Sequence, residues 1–86
     1  MERSIKIFNN TYVIRAHATM RSLQKNIPDS LIAKTVEEGD FILQEHDTDK
    51  YELQHFDEER QIWRIITVII NQQEQAVITV WVRNSE

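Results

Sequence analysis

The segment Gln61–Ile70 constrains the fold most, because read as a strand it is apolar on both faces. Successive side chains of a strand point to opposite sides. Ile62, Ile66, Val68 and Ile70 then share one face, and Trp63, Ile65 and Ile69 share the other. A strand of this kind belongs in the middle of a sheet and needs cover on both sides. Arg64 and Thr67 interrupt the run, which is far shorter than the roughly 20 apolar residues of a membrane span.

The neighbouring segments supply the sheet. Phe41–Glu45, Tyr51–Phe56 and Ala76–Arg83 also alternate with a period of two, separated from one another and from the central strand by short polar connectors. Connectors of that length favour antiparallel neighbours, since a parallel crossover needs a dozen or more residues. Upstream the period is helical. Ala16–Lys25 places Thr19, Met20 and Leu23 on one side and His17, Arg21 and Gln24 on an adjacent stripe. Pro28 suits the opening of a second helix, along which Leu31, Ile32, Thr35 and Val36 recur. Gly39 falls where a left-handed C-terminal cap is expected. Ser4–Phe8 and Thr11–Ile14 are short β-type runs around a turn at Asn9-Asn10.

The expectation is one α+β domain over residues 1–86: an N-terminal strand or hairpin segment in 1–15, two helices in 16–38, and an antiparallel sheet of about four strands in 40–83. The helices cover one sheet face. The other would be covered by the N-terminal segment or by a second copy of the chain.

Eighty-six residues with 41% hydrophobic and 28% charged side chains make an ordinary small globular domain. The absence of cysteine removes disulfide scaffolds, thiolate zinc sites and a cysteine nucleophile. One glycine is too few for a glycine-rich phosphate loop. The residues Met1–Phe8 lack the apolar core of a signal peptide, so a cytoplasmic location without membrane contact is the default expectation.

The net charge of −4 is unevenly spread. Residues 1–34 carry +4, residues 35–59 carry −9, and residues 60–86 carry +1. Indiscriminate nucleic-acid binding does not fit this balance, because such binding draws its affinity from many lysines and arginines. A small basic face on an acidic body can still hold one or two phosphates. The group His46, Asp47, Asp49, His55 and Asp57 invites a metal reading. Its spacing lacks the glycine and terminal glutamate of a calcium loop and the helical histidine pair of zinc sites. Neither metal nor cofactor is expected.

The run His17-Ala18-Thr19-Met20-Arg21-Ser22-Leu23-Gln24-Lys25-Asn26-Ile27 resembles the opening of a family of small toxin-like proteins whose pattern is His-Ala-x-x-Arg-(Met or similar)-x-x-Arg-x-Ile. Glu38-Gly39-Asp40-Phe41-Ile42 is similar to that family's Gly-x-x-Ile approach to its first strand, and Val77-Ile78-Thr79-Val80-Trp81 to its closing apolar-Thr-apolar-Tyr strand. The likeness runs from His17 to Arg83. Lys25 stands where the family has arginine, keeping charge but losing bidentate geometry. Trp81 replaces a tyrosine and removes a hydroxyl. The family is grouped with barnase, colicin and RelE-like nuclease toxins, so the resemblance implies a metal-independent endoribonuclease, RNA as substrate and an antitoxin as partner.

Metal-free RNA cleavage needs a proton acceptor for the ribose 2′-hydroxyl, a proton donor for the leaving oxygen, and cations at the phosphate. His17 and Arg21, one helical turn apart, together with Arg64, are the candidate catalytic residues. Lys25, Thr79, Trp81 and Arg83 are candidates for holding substrate. The plainer readings are a helix-start histidine for His17, an ion pair with the acidic 45–59 region for Arg64, a strand former for Thr79, and core or interface for Trp81. His55 is a further candidate acid–base group. The alternative function is a non-catalytic α+β module that forms a homodimer or binds a protein partner through its second sheet face.

Overall fold

The computed structural model describes residues 3–84. Two strands, β1 (Arg3–Ile7) and β2 (Asn10–Ile14), form an N-terminal hairpin. Two helices follow, α1 (Ala16–Gln24) and α2 (Asp29–Glu38). Four strands complete the chain: β3 (Asp40–Glu45), β4 (Thr48–Asp57), β5 (Ile62–Asn71) and β6 (Ala76–Asn84). They make one six-stranded sheet in the order β1-β2-β6-β5-β4-β3. The helix-on-sheet class agrees with the expectation, and β5 is central.

Two expectations about the sheet are corrected. It has six strands, and it is mixed: β2 lies parallel to β6 through Val13 opposite Ala76 and Ile14 opposite Val77. The argument from short connectors governs only consecutive strands. Here α1 through β5 intervene between β2 and β6, so no turn dictates their direction. The N-terminal hairpin therefore extends the sheet at its edge instead of covering its second face.

Local chemistry explains the ends of the elements. The hairpin turn is Phe8-Asn9, one residue earlier than expected, with φ of 51° and 67°. Both residues are left-handed, which gives the turn the twist a tight hairpin requires. The Phe8 amide donates to Glu37 Oε2 at 2.8 Å, which gives a role to an acidic residue unfavourably placed near the C-terminus of α2. At the end of α1, Asn26 takes a φ of 56°, the Ile27 amide bonds the Ser22 carbonyl at 2.8 Å and the Asn26 amide bonds the Leu23 carbonyl at 3.4 Å. This is a Schellman closure with asparagine in the position usually held by glycine. It turns buried Ile27 into the core and sends the chain into α2.

Gly39 does not form the left-handed cap. Its backbone is extended, with φ −79° and ψ −176°. A Cβ there would lie 2.3 Å from the Thr35 carbonyl oxygen and 2.4 Å from that of Glu52. Glycine is needed because the last turn of α2 and the backbone of β4 approach too closely for a side chain.

The core lies between the helices and one face of the sheet. Ile66, Val68 and Ile70 of β5 meet Val77 and Val80 of β6, Ile14 of β2, and Leu31, Ile32 and Val36 of α2. Directly opposite residues of paired strands share a face, so the register assigns Tyr51, Leu53, His55, Arg64 and Val82 to this helix side.

Candidate functional site on the uncovered sheet face

Among the described residues no helix covers the other face of β4, β5 and β6, and the register arranges it in rows. Lys50, Ile69 and Thr79 form one row, Glu52, Thr67 and Trp81 the next, and Gln54, Ile65 and Arg83 a third. Phe56 and Trp63 extend the face toward the β4–β5 turn, their rings edge-to-face with centroids 5.2 Å apart.

Long side chains from the outer strands reach across β5. Arg83 Nη2 lies 3.6 Å from Glu52 Oε2, and the Lys50 ammonium stands 5.6 Å from the centroid of the Trp81 ring. Thr67, directly between Glu52 and Trp81, is completely buried and its hydroxyl approaches Glu52 Oε2 at 3.5 Å. The apolar second face of β5 is thus partly shielded by arms carrying charge at their tips. One carboxylate, two cations and an indole plane result, all reachable from solvent.

Three of the expected substrate-holding residues, Thr79, Trp81 and Arg83, therefore stand on one face of one strand. His17 and Arg21 lie a turn apart on α1, both exposed, and α1 packs against β6. Lys25 follows the last turn of α1 with its side chain exposed.

Arg64 departs from this grouping. It lies on the helix side of β5, opposite His55 of β4, and is only 5% exposed. Its Nη1 donates to the Lys25 carbonyl at 3.2 Å, and its Nε lies 3.5 Å from Asp57 Oδ2. A buried arginine needs such partners. Asp57 belongs to the acidic stretch from which an ion-pair partner was expected. The sheet separates Arg64 from Thr79, Trp81 and Arg83.

Sequence reasoning passed over Lys50, Glu52 and Thr67. Lys50 and Glu52 are embedded in an acidic tract that reads as solvated surface, and Thr67 reads as a strand former. The alternation of Lys50 and Glu52 with Tyr51 and Leu53 is visible in the sequence, but only the pairing register carries these residues and Thr67 beside Trp81 and Arg83.

Among the described residues, no group of three or more His, Cys, Asp or Glu side chains is placed to hold a metal ion. No described helix is long and apolar enough to cross a membrane. Comparison with protein-family models, with curated proteins and with solved structures finds no match to this chain.

Proposed function

We propose that the chain is a toxin-type, metal-independent endoribonuclease that takes RNA on the uncovered face of its sheet. The observation that supports this reading is the grouping of the Glu52 carboxylate, the Arg83 guanidinium 3.6 Å from it, and Lys50 beside Trp81. Exposed aromatic planes interleaved with cations are what single-stranded RNA uses, since every base has a face to stack and every nucleotide a phosphate to neutralise.

In this reading Trp81 stacks on a base, and Lys50 and Arg83 hold the scissile phosphate. Glu52 accepts the 2′-hydroxyl proton, and the 2′-oxygen attacks phosphorus to give a 2′,3′-cyclic phosphate. His17 and Arg21 lie on α1, on the other side of the sheet from this phosphate, so the departing 5′-oxygen takes its proton from water, with Arg83 offsetting the charge that develops on the phosphate. An antitoxin would act by covering this face.

The test is cleavage of single-stranded RNA in the presence of chelator, with and without ribosomes. Wild-type protein should cleave in at least one condition. Glu52→Gln and Arg83→Ala should each lower the rate about a hundredfold or more, the range expected when an acid–base group or a transition-state cation is removed. Wild-type protein that cleaves in neither condition, or variants as active as wild type, would overturn the assignment.

One observation favours a second reading. Trp63 is 50% exposed on the same face, beside Phe56 and Ile65. That patch suits a non-catalytic module that binds a protein or a second copy of the chain. A concentration-independent monomer in sedimentation would remove the homodimer version.

A further inference from the structure

The two edges of the sheet end differently. At one edge, β1 carries Arg3 and exposed Lys6, and α2 packs against it, with the Arg3 guanidinium 3.1 Å from Asp29. A lysine and a covering helix are devices that stop further strands from adding to an edge. At the other edge, all six residues of β3 are exposed. The strand contains no lysine, arginine or proline, and among the described residues only β4 pairs with it.

Phe41, Ile42 and Leu43 are 56%, 42% and 43% exposed, an apolar run on an edge whose outward N–H and C=O groups have no partner strand. Pairing with β4 passes from Phe41 opposite Tyr51 to Leu43 opposite Lys50, so Ile42 is the extra residue of a bulge. A bulge leaves its extra residue outside the ladder and bends the strand, which favours a short incoming segment over a long one. The register sets Phe41 on the helix side, edge-to-face with Tyr51 at 5.6 Å, and Leu43 on the uncovered side. An added strand would find apolar contact on both faces.

Charge decides the occupant. Between Lys34 and Lys50 the chain carries six carboxylates and no lysine or arginine. Asp40 and Glu45 bracket the apolar run, and exposed Glu38 and Asp47 lie just beyond. A second copy pairing antiparallel about the centre of β3 would set Asp40 opposite Glu45 twice. Like charges directly opposite one another destabilise a sheet. A strand with basic ends turns both contacts attractive.

We propose that β3 is a docking edge for an extended segment of a partner protein, apolar in its middle and flanked by lysine or arginine, which joins the sheet as a seventh strand. The main-chain ladder supplies affinity, Phe41, Ile42 and Leu43 supply apolar contact, and Asp40 and Glu45 set the register. This assignment is independent of the ribonuclease reading, which uses side chains of β4 and β6.

The experiment is an amide NMR titration of the full chain with the end-capped peptide Lys-Arg-Val-Thr-Val-Thr-Arg-Lys. One control peptide has glutamate at every basic position, and another has proline for the second valine, which removes a ladder donor. The basic peptide should give saturable shifts centred on residues 40–45 and cross-strand nuclear Overhauser contacts to β3. Glu45→Lys should weaken it about fivefold and Ile42→Lys about tenfold or more, with the same spectra reporting that each variant is folded. No saturable shift up to about 5 mM, above millimolar affinity, would overturn the proposal. Shifts centred on another strand, equal binding of either control peptide, or Glu45→Lys binding as tightly as wild type would also overturn it. A dimer of the chain alone that Ile42→Lys disperses would give the edge to a second copy and overturn it as well.

Discussion

Replacing Gly39 by alanine separates two physical reasons for a glycine at the end of a helix. Its φ of −79° and ψ of −176° are open to any residue. On backbone conformation alone, alanine would stabilise the protein by about 0.4–1 kcal/mol by restricting the unfolded chain. Contact predicts the opposite sign. The new methyl carbon would stand 2.3 Å from the Thr35 carbonyl oxygen, 2.4 Å from the Glu52 carbonyl oxygen and 3.0 Å from the Glu52 carbonyl carbon. All three atoms belong to backbone, so no side-chain rotation relieves the clash. The last turn of α2 must withdraw from β4, loosening the packing of buried Thr35 and Val36. Overpacking of this kind costs about 1–3 kcal/mol where flexible side chains absorb part of it. With backbone on both sides the upper end applies, about 3 kcal/mol. For a domain of this size that lowers the melting temperature by about 12–24 °C, a large share of a total stability of about 5–15 kcal/mol. Urea unfolding of wild type and Gly39→Ala, analysed with a common slope, measures it directly. A loss below about 1 kcal/mol, or any gain, would refute the close-approach argument. Glu52 lies on the displaced backbone, so under the ribonuclease reading the folded variant should also cleave RNA more slowly.

Two further outcomes follow from single residues. Burial pushes the phenols of Tyr12 and Tyr51 above their ordinary value of about 10, and the neighbouring Asp49 carboxylate adds to the effect at both, opposed at Tyr51 by a hydrogen bond from Gln72. The native state therefore holds these protons more tightly than the unfolded chain, so stability is full below pH 10 and declines as pH rises beyond it. Tyr12→Phe should flatten that alkaline decline in urea midpoints, and an unchanged slope would contradict it. Phe8, 61% exposed with a φ of 51°, strains the β1–β2 turn. Phe8→Asn should raise stability by about 1 kcal/mol, and a lower melting temperature would show that the ring's remaining contacts outweigh the strain.

Much of the architecture was legible from periodicity. The 3.6-residue repeats placed both helices within a residue of their observed ends, and the period of two placed β3 to β6 with short turns between them. The two-sided apolar pattern of Gln61–Ile70 identified β5 as central, and Arg64, a charge within that pattern read both as a catalytic candidate and as an ion-pair partner, stands 3.5 Å from Asp57. The site was less legible. Thr79, Trp81 and Arg83 share a face because they alternate on one strand, which a sequence displays. Lys50 and Glu52 join them only because β4 and β6 flank β5 in one particular register.

The secondary-structure elements follow from the order of residues alone, because helix and strand periods, turn residues and a central strand's composition are local properties of the chain. The expectation of a single core over these 86 residues rests on length, because a chain segment of that size has room for only one. Long-range packing, by contrast, makes β2 run parallel to β6, gives Gly39 a role in contact instead of conformation, and sets Arg64 on the opposite sheet face from Arg83. Each of these depends on which distant segments become neighbours. That choice minimises the free energy of the whole packed core, and no local period records it.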